Sequence, residues 1–245
     1  MSPRISPVGG ASIKLLLALA LSLPLAAILP ERAYAEDVLV FGGTGRLGGE
    51  TVRELRSAGY SVAVFARPDS SRSRLADLAV RYVEGDLLNG EQVAAAFSAI
   101  KPRIVIDASA LYSNQHEIAM QHIIAGARPV GVARIIHHSS VGAGDNMALF
   151  PQIDFTRLEK ALLDKGRAER LLIDSGIPYV IIRNGLLEND DSKSSGRAQL
   201  TEDVGVLGRT TRRDLAAVTL QCLDGPRCLN KIYHALDDQF TNLAR

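Results

Sequence analysis

The stretch from Val38 to Gly49, VLVFGGTGRLGG, constrains the fold more than any other part of the chain. Val38 to Phe41 is an apolar run without a polar face, as a parallel strand covered on both sides requires. The run stops in glycines, and a helical pattern begins near Arg46. Gly42, Gly45 and Gly48 give the spacing G-x-x-G-x-x-G. A strand that reverses straight into a helix needs glycine at three places. One makes the tight turn, one lets backbone N–H groups approach a pyrophosphate, and one allows close helix–strand packing. The helix N-terminus then meets an anion with unpaired N–H groups and a partial positive charge. Gly42, Thr44, Gly45, Arg46, Leu47 and Gly48 are therefore the expected dinucleotide-binding positions. A plain strand-to-helix turn is the alternative.

Downstream, strands and helices alternate. Strands are expected at 61–66, 81–83, 103–107, 133–138, 179–183 and 231–235, and helices at 46–58, 90–100, 117–129, up to about 175, and 212–223. That order predicts an α/β fold, a doubly wound parallel sheet of about seven strands. The polar stretch from Asn184 to Gly208 is long for a connection inside a domain, which favours a functional or mobile loop; a small C-terminal lobe on the substrate side is part of the expected fold.

Residues 1–35 read differently. Arg4 and Lys14 give a basic start. Leu15 to Leu29 is apolar apart from Ser22 and Pro24, and Ala33-Tyr34-Ala35 supplies small residues for cleavage after Ala35. This is the order of a secretory signal peptide, and the apolar run is short of the ~20 residues of a membrane span. The expectation is an exported protein, periplasmic or otherwise extracytoplasmic, with residues 36–245 as one domain and no stable membrane span after cleavage. A cytoplasmic protein, or one anchored by an uncleaved leader, is the alternative. Cys222 and Cys228 flank the turn signal Asp224-Gly225-Pro226, so a disulfide is expected in an oxidising compartment, against two unrelated small residues.

Composition excludes several classes. The net charge is +1 with no long basic run, and aromatic residues make up 5% with no Trp. Nucleic-acid binding thus lacks both an electrostatic footprint and stacking platforms. The five histidines show no ligand spacing, and no metal site is expected. His137 and His138, neighbours on a strand, point oppositely.

Gly42–Gly49, Gly85–Leu88, Gly131–Ser140, Lys165–Glu169, Ser175–Gly185 and Arg212–Ala216, in this order, together resemble the atypical short-chain dehydrogenase/reductase superfamily, especially its NmrA-like NAD(P)-binding branch. The resemblance implies a Rossmann-like fold with NAD(P) at the carboxyl edge of the sheet. It implies Asp86 and Leu87 beside the adenine, and Ala108 and Ser109 along the cofactor. It implies Ser139 and Ser140 near the nicotinamide and Lys165 near its ribose, these three being the candidate catalytic residues. The superfamily's Tyr-x-x-x-Lys pair would put tyrosine at position 161, where Ala161 stands, and none of the six tyrosines has lysine four residues on.

Arg67 follows the second strand, where NAD-specific folds carry an acid. It reads as a clamp for a 2′-phosphate, assisted by Arg72 and Arg74, or as a solvated loop arginine. NADP(H) is thus the preferred cofactor, with NAD(H) possible. Asp86, Ser139, Ser140 and Lys165 each also have an ordinary reading as turn, strand-end or solvated residues. Tyr112 is a candidate replacement for the missing phenol, or a packing residue. Two functions remain open: an oxidoreductase acting on a small-molecule substrate, or a non-catalytic dinucleotide-binding redox sensor or assembly factor of the cell envelope. Substrate and oligomeric state are not legible.

Overall fold

In the computed structural model, residues 1, 36–189 and 193–240 are described. Met1 apart, the expected leader lies outside the described residues. Strand β1 (Val38–Phe41) pairs in parallel with β2 (Val62–Ala66) on one side and β4 (Ile104–Asp107) on the other. All four of its residues are buried, which is why the run needs no polar face. Beyond β2 lies β3 (Arg81–Glu84). Beyond β4 come β5 (Arg134–Ser140), β6 (Tyr179–Asn184) and β10 (Lys231–Leu236), all parallel, with β8 (Gln199–Thr201) antiparallel at the edge.

Alternation along β1 assigns its two faces. Val38 and Val40 meet Val52 and Leu55 of α1 (Arg46–Ser57) and Leu215 of α5 (Arg212–Leu220). Leu39 and Phe41 meet Phe97 of α2 (Gly90–Ile100), Ile123 of α3 (His116–Val130) and Leu172 of α4 (Glu159–Asp174). Each such buried side chain stabilises by roughly 1.5–3 kcal/mol relative to exposure. The chain runs outward from β1 to β3, then crosses back to β4. Strand order reverses between β1 and β4, and the helices that follow these two strands lie on opposite faces. A crevice is left at their carboxyl ends, which is where such sheets bind ligands.

Glycine is required at that point. Gly42 has φ +74°, and a Cβ on it would stand 2.5 Å from the Ala108 carbonyl oxygen. A Cβ on Gly48 would stand 2.1 Å from the Gly42 oxygen.

The structure corrects three boundaries. Strand β5 runs on through Ser139 and Ser140 instead of stopping at His138, because its ladder with β6 continues to Ser140 and Asn184. Helix α5 stops at Leu220. The stretch 184–208 is not only loop. It holds β7 (Leu186–Glu188), paired with β9 (Arg209–Thr211), and β8, which makes the main sheet eight-stranded. Three-residue strands carry too little pattern to be read, and their hydrogen bonds come from distant partners. The Asp214 carboxylate ties this strap down, accepting from the Ser194 hydroxyl at 2.7 Å and the N–H groups of Ser195 and Gly196 at 3.0 and 2.9 Å.

Cys222 and Cys228 are joined as a disulfide, with Cα atoms 5.4 Å apart. The intervening turn is pinned from outside. Arg134 donates to the Cys222 and Gly225 carbonyls, and Asp224 accepts from Arg103 and from the Tyr60 hydroxyl, both at 2.6 Å.

The adjacent glycines of α1 allow a contrast. Alanine at Gly49 would make an ordinary 3.5 Å contact with the Arg74 side chain, and its helix propensity favours it by up to about 1 kcal/mol. Alanine at Gly48 must push α1 off β1, at about 1–3 kcal/mol. Urea unfolding is expected to show Gly49→Ala neutral or stabilised and Gly48→Ala destabilised. Equal effects would contradict the packing role of Gly48.

Candidate functional site

A groove of about 810 Å³ follows the carboxyl edge of β1, β2, β4 and β5. Gly42, Thr44, Gly45, Arg46 and Leu47 form its floor at the turn into α1. No side chain caps that helix, whose N-cap is Gly45 in extended conformation. The first-turn N–H groups of an uncapped helix have no partner within the helix, and they open toward the groove. Gly48 does not line the groove. It is buried against Gly42, where it serves the close packing of helix on turn.

Arg67 lines the outer end. Its side chain is 63% exposed and lies 3.5 Å from Asp69, a weak, solvated pairing that leaves the guanidinium available. The two arginines expected to assist it are not groove residues. Arg72 stacks on the Tyr82 ring, 4.4 Å from its centroid, and pairs with Glu84 at 2.5 Å. The Arg74 side chain lies against Gly49. Asp86 and Leu87 line the wall beyond β3. The Asp86 carboxylate accepts from the Leu88 N–H at 2.9 Å, so it also shapes its own turn.

Ala108 and Ser109 line the groove where β4 ends, and Ser139, Ser140 and Lys165 line its inner end. Ala161 is beside them, one helical turn before Lys165. Tyr112 is at the mouth, 82% exposed. The strap leans on the glycine turn. Arg46 donates to the Asn189 side-chain and backbone oxygens at 2.9 and 3.0 Å, and Arg212 donates to the Glu188 carbonyl at 2.8 Å.

Beneath the inner end is a polar cluster that the sequence did not reveal. Asp107 faces His137 across the β4–β5 pair, carboxylate to Nδ1, at 2.9 Å. Burial alone would raise the Asp107 carboxyl. The hydrogen bond and charge of His137, with contacts from Ser109, outweigh it and hold the group at about 2. His138 points to the other face, between Asn184 and Thr219, and burial lowers its imidazole to about 4. His116, at the start of α3, is also lowered to about 4, by burial and then by the charge of Lys165. Burial lowers Lys165 too, against the opposing charges of Asp107, Glu169 and Asp164. Only the β4–β5 register puts Asp107 beside His137, and no local spacing announces that register. Among the described residues no group of three or more His, Cys, Asp or Glu side chains is disposed to hold a metal.

The groove fits a dinucleotide. It offers a glycine turn packed so closely on Ala108 that no Cβ fits at Gly42, an uncapped helix terminus for a diphosphate, and a lining that runs from Arg67 to Lys165. Residues 42–226 match the family described as NAD(P)H-binding. An NAD(P)H azoreductase of Xenophilus azovorans is 23% identical over 202 residues, covering 80% of this chain and 66% of that protein. ChuY of Escherichia coli O157:H7, described as an anaerobillin reductase, has a TM-score of 0.75 at 25% identity over 84% of this chain and 98% of that one. A short-chain dehydrogenase/reductase of Veillonella parvula, solved with NADP, shares the fold at a TM-score of 0.63 and 17% identity, over 84% of this chain and 96% of that one. The chain spans 34% to 72% of the length of these curated relatives and others it matches.

The two low imidazoles set a pH dependence. His116 and His138 are neutral in the fold down to about 4, while an unfolded histidine titrates near 6.5. Between these values the unfolded state binds more protons. The stability that comes from keeping the rings neutral is complete above about 6.5 and is lost as pH falls toward about 4, at up to about 1.4 kcal/mol per pH unit for each ring. Urea unfolding across that range should slope accordingly, and His138→Gln should flatten it. An unchanged slope in the variant would contradict the assignment.

Proposed function

The chain belongs to the NAD(P)H-binding family, and from that premise we propose that it is a reductase-like protein acting on a small carbonyl, quinone-like or conjugated acceptor. The observation that carries this reading is the groove, in which a diphosphate cradle at one end is continuous with Ser139, Ser140 and Lys165 at the other. The turn from Gly42 to Leu47 would hold the diphosphate, Asp86 and Leu87 the adenine, and Lys165 the inner ribose. Ala108 and Ser109 would lie along the cofactor between them. A bound reduced nicotinamide supplies hydride. The reductase names of the azoreductase and ChuY support the class.

Ala161 leaves no phenol beside Lys165. The usual Tyr-x-x-x-Lys proton transfer is therefore absent from this reading. Secondary alcohols, whose oxidation needs a base, are expected to be poor substrates. The same alanine favours a second reading, a non-catalytic dinucleotide sensor or assembly factor. Cofactor binding without turnover of any acceptor would select it.

We also propose export with cleavage after Ala35. The order of the leader supports it, and so does the Cys222–Cys228 bridge, since disulfides persist outside the cytosol. Arg67 supports a preference for NADP(H), because a charge-assisted phosphate contact is worth on the order of 1.5–3 kcal/mol. The expected outcome is that protein recovered from a secreting host begins at Glu36. In titrations with both cofactors it should bind NADPH more tightly than NADH, by a ratio that Arg67→Ala abolishes. A chain still starting at Met1 would contradict export. A preference for NADH, or a ratio untouched by the substitution, would contradict the role of Arg67.

A further inference from the structure

We propose that Asp107, His137 and Ser139 form an interior proton relay that feeds the inner end of the groove and does the work of the missing phenol. This rests on the reductase reading above. Three observations carry it. His137 is 2% exposed, its Nδ1 is held by Asp107 at 2.9 Å, and its Nε2 has no hydrogen-bond partner. Ser139 is 0% exposed, its hydroxyl is likewise unpartnered, and it lines the groove. The two residues are two apart on β5, so both side chains are on one face of the sheet, the face covered by α3 and α4.

Buried polar atoms are almost always hydrogen-bonded, and an orphan at a groove calls for an explanation. Two on one strand face, the nearer one lining the groove, form a line from the interior toward the acceptor's position. The carboxylate fixes the ring orientation and offsets positive charge on the imidazole when it carries a second proton, as an aspartate does in hydrolase triads. The other titratable groups of the cluster are His116 on α3, Lys165, Asp164 and Glu169 on α4, and His138 beside His137 in the chain. Two of these, His116 and His138, are held neutral near pH 7, so they add no positive charge beside the ring.

The step balances. Hydride supplied to the acceptor carbon by a bound reduced nicotinamide would drive an electron pair on to the acceptor oxygen. That oxygen takes the Ser139 hydroxyl proton, the serine takes the Nε2 proton of His137, and the ring regains one from solvent through the groove. Ser139 is the catalytic residue in this scheme, and His137 and Asp107 act through it as positioning residues.

The test uses two acceptors and the chain from Glu36 with NADPH. Menadione needs a proton after hydride addition. N-methyl-3,4-dihydroisoquinolinium does not, because hydride neutralises its iminium carbon. His137→Gln and Ser139→Ala should each lower the ratio of menadione to iminium turnover by about tenfold or more, the lower end of general-acid contributions. A general loss of structure would lower both rates and leave the ratio alone. An unchanged ratio in both variants overturns the relay and leaves hydride transfer standing. Wild type that binds NADPH but reduces neither acceptor overturns the reductase reading. The relay then stands or falls on a measurement without turnover, the ring ¹⁵N resonances of His137. A ring in proton contact with the groove through Ser139 should show its imidazole N–H signal exchanging with water, and more slowly in Ser139→Ala. A ring N–H equally protected in wild type and variant overturns the relay.

Discussion

The approach of α1 to β1 is the constraint on which the rest of this structure depends. With Gly48 lying on the Gly42 carbonyl, the helix starts directly over the end of the strand. Its unpaired N–H groups are thereby aimed at the point where the sheet order reverses between β1 and β4. A larger residue at Gly48 would push the helix off the turn, and one at Gly42 would strike the Ala108 carbonyl at the end of β4. The apolar run of β1 serves the same end, because a strand clamped on both faces and both edges holds the turn still. Backbone donors that are already fixed lose no freedom when an anion arrives, and that preorganisation is what makes a helix terminus an anion site.

The inner end of the groove obeys a different logic. There the fold gathers Asp107, His116, His137, Lys165 and Ser139 within a region of low solvent access, where charges interact far more strongly than in water. Asp107 stays ionised although buried, because His137 outweighs the desolvation penalty. Lys165 and the flanking imidazoles move toward their neutral forms. Perturbed groups that converge on a cleft are where proton chemistry is found. They converge here on a groove lined by Ala161 and Lys165.

Much of this was legible before any coordinates. The VLVF run, the glycine spacing and the alternation of elements are local signals, and they gave the fold, the turn and the central strand. Arg67, Asp86 and Lys165 were found by position after a strand or by family order, and all three line the groove. What was not legible depends on partners far along the chain. The β7–β9 ladder joins residues about twenty apart through backbone groups that every residue possesses. The Asp107–His137 pair exists only because β4 and β5 align those two residues. Arg72 looked as available as Arg67 until the ring of Tyr82 and the carboxylate of Glu84 took it out of the groove.

The central claim is that the glycine turn and the groove beyond it hold one pyridine nucleotide. Isothermal titration of NADPH into the chain from Glu36 measures this most directly. The account predicts saturable binding of one cofactor per chain, weakened by added salt because a diphosphate on N–H groups and guanidinium is partly an electrostatic contact. Absence of heat, with an unchanged melting temperature in excess NADPH and in excess NADH, would contradict it.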